Sequence, residues 1–350
     1  MAESYHEELR KKNTLKLRER LKLLPNFMPD FFRGIAETTS ARTRIGYAYD
    51  LKIFFQFLIE QRPLFANKTI TNLTIEDLAA VTAGDIEMFM EFLTLYIKMD
   101  SNLELQNEEH GKSRKLSAIR TMFSFFYKRG MIRANPSELV DFPKLHEKAI
   151  TRLEIDEVAK LLDMVESGEE LTNGQQKYHK YTKKRDFAIV TLLLGTGMRV
   201  SECVGIDINH IDFDNSGIKV TRKGGNEAIL FFGEEVYDAL DIYLEERLNI
   251  NALPGHEEAL FLSMQNRRLT DRAIQNLVKK YAKLVNKLKN ISPHKLRSTF
   301  GTSLYRETGD IYLVADVLGH SDVNTTRKHY AEMDEARRRK AAKHVKLRAD

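Results

Sequence analysis

The sequence predicts a mainly α-helical protein of two domains, the second carrying a small antiparallel β-sheet. Three observations lead there. Over roughly the first 140 residues, apolar side chains recur at helical spacing in one segment after another. The stretch NPSELVDFPKLHEKAITRLEIDEV then breaks the pattern with Pro136, Pro143 and a charged run. Beyond it, GIKVTRKGGNEAILFF alternates with period two on either side of Gly224 and Gly225, as a hairpin does.

Taken in order, SARTRIGYAYDLKIFFQFLIEQ reads as a helix with Ser40 as its N-cap and Tyr47, Leu51, Phe54, Phe55 and Leu58 on one stripe. DIEMFMEFLTLYIKM follows, opened by Asp85. SRKLSAIRTMFSFFYKRG places Leu116, Ile119, Phe123, Phe126 and Tyr127 on an inner face and stops at Gly130. Arg114, Lys115 and Arg120 are assigned to its outer face, either solvated or in contact with phosphates. The domain boundary is expected near 145–150. The polar stretch 167–184 reads as a loop insertion or a frayed helix. RDFAIVTLLLGTGMRVSECVGI reads as a buried helix, a turn at Gly195 and Gly197, and a new helix start; after Asp238 the pattern is helical again. The predicted division is a basic arm (1–35), a helical domain (36–145), a mixed domain (150–334) and a basic tail (335–350).

A chain of 350 residues is long enough for two separate cores. With 42% hydrophobic and 30% charged residues it has a soluble globular balance, and no apolar run is long enough to span a membrane. The single cysteine, Cys203, has no partner for an internal disulfide, and the N-terminus lacks an apolar signal core, so the expected location is the cytoplasm. The net charge of +5 is modest, but it is concentrated in the segments 9–22 and 336–350. Two such segments favour a polyanion such as nucleic acid.

Four short motifs carry candidate chemistry. In SPHKLR, Ser292 and Pro293 suit the N-cap and first position of a helix, which puts His294 and Arg297 on the same side of its first turn. In GTGMRVSE, two glycines give room to Arg199, and Glu202 three residues on is spaced to hold its guanidinium. In TRKGGN, Arg222 is a candidate DNA contact and Lys223 sits at the hairpin tip, a mobile cation able to give a proton to a leaving oxygen. In LGHSDVNTTRKHY, His320 follows a helix-ending glycine, Asn324 is placed to cap the next helix, and Tyr330 is a possible covalent nucleophile. Each motif alone has an ordinary structural reading.

Together, Arg199, Lys223, His294, Arg297, His320 and Tyr330 resemble, in order and with their flanking residues, the catalytic set of the tyrosine recombinases. The resemblance runs from about Asp186 to Met333 and is closest to the Xer and phage or transposon integrase group. His320 and Tyr330 stand ten apart, where many Xer proteins have nine and several transposon integrases have ten. The resemblance implies a site-specific recombinase in which a helical core-binding domain and a mixed catalytic domain clamp duplex DNA. Tyr330 would form a 3′-phosphotyrosyl link, Arg199 and Arg297 would bind the phosphate, and Lys223 would protonate the leaving 5′-oxygen. His294 and His320 would assist, with Glu202 supporting Arg199. No metal, ATP or other cofactor is implied. The implied partners are double-stranded DNA, three further copies in a homotetramer on two sites, and a DNA translocase or excisionase as accessory. Dimer resolution and mobile-element integration are both compatible with it. A type IB topoisomerase and a DNA-binding relative that no longer cuts are the rival classes.

Overall fold

The computed structural model describes residues 5–98, 103–146, 151–222, 224–286, 288–320 and 323. The chain divides into two compact units, Met1–Lys148 and Ala149–Asp350. Among the described residues the elements are helices with two small antiparallel sheets, the fold class the sequence predicts.

The first unit is built from α1 (Tyr5–Leu21), α2 (Met28–Gly34), α3 (Ala41–Gln61), α4 (Ile75–Ala79), α5 (Ala83–Phe92), the strands β1 (Tyr96–Lys98) and β2 (Leu103–Leu105), and α6 (Glu109–Lys128). Its core is aromatic. Phe54 of α3 meets Phe89 of α5 edge to face at 5.1 Å and Phe123 of α6 at 6.5 Å, while Phe126 of α6 packs on Phe27 at 5.3 Å. The Ser40 hydroxyl caps α3 by accepting the Thr43 N–H at 3.1 Å, as its position predicts. Helix α5 begins earlier than Asp85: Thr82 is the cap, and the Asp85 carboxylate reaches back to the Thr82 N–H at 2.8 Å. Tyr127 is exposed rather than in the stripe, because it lies about 100° around the helix from Phe126. The β1–β2 pairing, with Tyr96 opposite Leu105, is too short for its alternation to stand out in sequence.

Of the three α6 cations assigned to the outer face, Arg114 is exposed, Lys115 is buried and Arg120 is half-buried. Lys115 is only 4% exposed, and its Nζ donates to Asn107 Oδ1 at 2.8 Å and lies 3.9 Å from Asp50 Oδ1. It turns inward because Asp50 of α3 is buried and requires a cation. Arg114 is exposed but also pairs with Asp50. Arg120 is half-buried; its Nε donates to Ser137 O at 3.0 Å, a second donor reaches Val140 O, and the guanidinium lies 4.3 Å over the Phe142 ring. Arg120 therefore fastens the segment after α6 to the helix.

The second unit contains α7 (Ile155–Ser167), α8 (Asn173–Thr196), α9 (Val200–Val204), the strands β3 (Ile211–Asp212), β4 (Gly217–Thr221) and β5 (Glu227–Phe231), then α10 (Glu234–Leu248), α11 (Asp271–Val285), α12 (Pro293–Thr308) and α13 (Ile311–Leu318). Helix α8 is central, with α7, α10 and α12 packed on it and Ile189, Val190, Leu192 and Leu193 fully buried. Of the polar stretch 167–184, expected to be a loop or frayed helix, residues 168–172 are a loop and 173–184 form the first half of α8. Thr172 and Gln175 cap its start, and the His179 ring is buried with Nε2 2.8 Å from Val165 O. At its middle, buried Asp186 accepts from Tyr281 Oη at 3.0 Å and from Arg185 and Lys280, which ties α8 to α11. The sheet runs β3-β4-β5, all antiparallel, with Ile218 opposite Leu230 and both buried.

Candidate active site

The site begins where α8 ends. Gly197 adopts φ +61°, and a side chain there would overlap the Phe300 ring and Leu318. This tight turn directs the chain towards α9, for which extended Arg199 is the N-cap residue. The buried Glu202 carboxylate, 3% exposed, holds Arg199 twice: Oε2 accepts its backbone N–H at 2.7 Å and Oε1 accepts from Nη1 at 2.8 Å. The pairing expected from the three-residue spacing is thus a two-point clamp, and the Arg199 side chain keeps 32% of its surface exposed.

Arg297 approaches from α12. Pro293 takes the first helical position, while Ser292 is extended and makes no side-chain capping bond. His294 is exposed in the first turn, and Arg297 one turn on is buried at 5% exposure. Its Nη1 donates to Gly197 O at 2.7 Å and its Nη2 to Leu318 O.

The third component is the end of α13. Gly319, at φ +60°, terminates the helix, and the His320 N–H returns to Ala315 O at 2.9 Å. Arg199 Nη2 donates to Gly319 O at 3.1 Å. The two arginines thus meet on neighbouring carbonyls at the negative end of a helix, which fixes their planes before any anion arrives. Two guanidiniums so held suit a tetrahedral anion whose charge grows during reaction. Half-buried His320 lies on the same turn.

Arg222, a candidate DNA contact in the sequence, lays its guanidinium against the end of α13, with Nη2 donating to Val317 O at 3.0 Å. Sequence reasoning missed the carbonyls of Gly197, Leu318 and Gly319 as parts of the site. Cys203, next to Glu202, is buried in the core, and burial pushes its thiol pKa up, with Asp271 and Glu202 adding to the shift. Lys223, Asn324 and Tyr330 lie outside the described residues.

Residues 151–337 match the phage integrase family. The chain is 30% identical over 342 residues to the tyrosine recombinase XerC of Caldanaerobacter subterraneus subsp. tengcongensis, covering 95% of this chain and 89% of that one. It is 36% identical over 218 residues to XerC of Thermodesulfovibrio yellowstonii, covering 61% of this chain and 69% of the relative. In fold it resembles XerH site-specific recombinase bound to palindromic difH substrate, with TM-score 0.62, 20% identity and 88% of this chain and 81% of that chain covered. It also resembles the Tn1549 transposon integrase in complex with transposon right-end DNA, with TM-score 0.63, 19% identity and coverage of 89% and 98%. With more than half its length matched, and a relative at this identity aligned over nearly all of it, the chain belongs to the phage integrase family of tyrosine recombinases.

Proposed function

We propose that this chain is a Xer-like site-specific recombinase that cleaves and rejoins double-stranded DNA through a 3′-phosphotyrosyl intermediate. The observation that carries the reading is the convergence of Arg199 and Arg297 on the adjacent carbonyls of Gly319 and Leu318. In the proposed reaction the Tyr330 oxygen attacks the scissile phosphorus and the bond to the 5′-oxygen breaks. Lys223 gives that oxygen its proton, and His294 takes the proton of the phenol. Arg199 and Arg297 bind the non-bridging oxygens, where charge accumulates, and His320 donates a further hydrogen bond. Glu202 keeps the Arg199 guanidinium in plane. The bond energy is retained in the phosphotyrosine, so a new 5′-hydroxyl can reverse the step without ATP.

The names of the relatives support a Xer-like role, and the neighbouring XerH structure contains its difH substrate. In this reading segment 36–145 is a core-binding domain and 150–334 the catalytic domain. Segment 335–350 serves exchange between protomers. Four copies act on two DNA sites in the cytoplasm, exchanging strands in pairs, with an accessory translocase as a further partner. Among the described residues no helix is long and apolar enough to cross a membrane.

The test is covalent capture on a nicked suicide substrate built from candidate sites. The parent chain is expected to trap DNA with or without chelator, and the linked peptide should contain Tyr330. Tyr330→Phe should bind the same DNA and trap none. Capture by Tyr330→Phe would assign the nucleophile to another residue. Relaxation of supercoils by a monomer on any sequence would move the chain to the topoisomerase class.

A further inference from the structure

The last carbonyls of a helix have no partners within it. At the end of α13, Ala315 O takes the His320 N–H at 2.9 Å and Asp316 O the Gly319 N–H at 2.8 Å. Leu318 O and Gly319 O go to Arg297 and Arg199. The remaining carbonyl, Val317 O, accepts from Arg222 Nη2 at 3.0 Å, and Arg222 Nη1 lies 3.5 Å from Asp316 O. The guanidinium fits only because residue 319 is glycine, since a methyl group there would overlap it.

Arg222 is fixed at its other end as well. It directly follows β4, and its N–H donates to Asn226 O at 2.7 Å while its carbonyl accepts the Gly225 N–H at 3.1 Å. Its backbone closes the neck of the β4–β5 hairpin, and its side chain is tied to the turn that also holds both catalytic-site arginines. The tip beyond the neck is permissive: Gly224 and Gly225 have φ of +99° and +93°, with open space around each. A lysine on such a tip would spread its ammonium over many positions unless the neck were anchored.

We infer that Arg222 is a positioning residue that straps the β4–β5 hairpin to the C-terminus of α13 and thereby sets the reach of Lys223. The inference rests on the reading of Lys223 as the acid that protonates the leaving 5′-oxygen. Arg222 then acts on proton delivery and leaves DNA affinity untouched. Arginine suits the role because its planar fork spans two successive carbonyls, which a single ammonium does less well.

The test compares suicide substrates that differ in one atom, the 5′-bridging oxygen or a sulfur in its place. A thiolate leaves without a proton, so loss of the acid harms only the oxygen substrate. Arg222→Ala is expected to slow cleavage of the oxygen substrate about tenfold to a hundredfold and to cleave the sulfur substrate within about twofold of the parent chain. Arg222→Lys, which keeps a cation and most of the apolar stem, should show the same selective loss at smaller size and serves if the alanine variant does not fold. Lys223→Ala is the control and should also be rescued by sulfur. If Lys223→Ala is rescued but the Arg222 variants are equally slow on both substrates, or not slow on either, the positioning role is overturned. If Lys223→Ala is not rescued, Lys223 is not the acid, and that reading falls together with the inference.

Discussion

Arg199 and Arg297 donate to adjacent carbonyls, those of Gly319 and Leu318, so the end of one short helix sets the spacing of two guanidiniums drawn from different elements. Arg297 completes the frame by donating to Gly197 O in the turn that leads to Arg199. Two residues keep this frame in place, one by holding Arg199 and one by holding Arg297.

Glu202 is the first. It holds both the backbone and the side chain of Arg199 from a buried position. Glu202→Ala frees the guanidinium to rotate, and misalignment of a catalytic group is costly. Covalent capture is expected to fall about tenfold to a hundredfold, and less in Glu202→Gln, which keeps one acceptor oxygen. Binding measured at equilibrium should change by less than about twofold, since most affinity comes from phosphate contacts elsewhere. Full capture by Glu202→Ala would show that Gly319 O alone is enough to hold Arg199.

Gly197 is the second. A residue with Cβ at φ +61° costs about 1–2 kcal/mol in the backbone, and a methyl group here also collides with Phe300 and Leu318. Overpacking adds about 1–3 kcal/mol. Gly197→Ala should therefore lower the urea midpoint clearly. Because Gly197 O and Leu318 O both hold Arg297, capture by the folded fraction should fall as well. A variant with parental stability and parental capture would contradict the packing described for this turn.

The residues of this site are legible in sequence to different degrees, for physical reasons. Arg199 and Glu202 stand three apart at a helix start, so their pairing follows from spacing. The β4–β5 hairpin follows from alternation around two glycines. The meeting of Arg199, Arg297 and Arg222 on α13 is not legible, because their shared partners are backbone carbonyls, and a carbonyl leaves no mark on residue identity. The first half of α8 escapes a sequence reading because its surface is polar; its burial reduces to His179, Thr182 and Asp186, which look like surface residues in a one-dimensional pattern. Lys115 escapes it for the converse reason: the carboxylate that draws it inward belongs to another helix.

A pH dependence follows from the start of α7. Burial alone would raise the Glu157 pKa, but the Lys289 ammonium at 2.5 Å, the Glu154 N–H and Asn286 override it and hold the carboxyl at about 2, below its ordinary 4.5. The folded state therefore binds fewer protons than the unfolded one in this range. The contribution to stability is complete above about 4.5 and is lost as pH falls towards 2. Urea midpoints of the parent chain should drop across that window, and Glu157→Gln should remove part of the slope. Glu154, whose carboxyl is also lowered despite burial, by Arg306 and Arg152, accounts for a separate part, so the difference between variant and parent is the quantity to read. Identical slopes would show that the Lys289 contact contributes nothing in solution.

Lys115 and Asp50 are 4% and 2% exposed, and burial acts on both, lowering the lysine pKa and raising that of the aspartate. Removing one member of a buried pair leaves the other uncompensated and costs about 3–5 kcal/mol, although Arg114 on the same carboxylate reduces the penalty here. Lys115→Met keeps the volume and should still destabilise the first unit by about 2 kcal/mol or more. Asp50→Asn combined with Lys115→Met should recover much of that loss, because no buried charge is then left alone. Arg114→Ala should cost less, since its side chain is 53% exposed and ion pairs near water are weak. DNA affinity per folded molecule should be parental in Lys115→Met. A Lys115→Met chain of unchanged stability whose affinity falls, with a shallower dependence on salt, would return Lys115 to the role of phosphate contact.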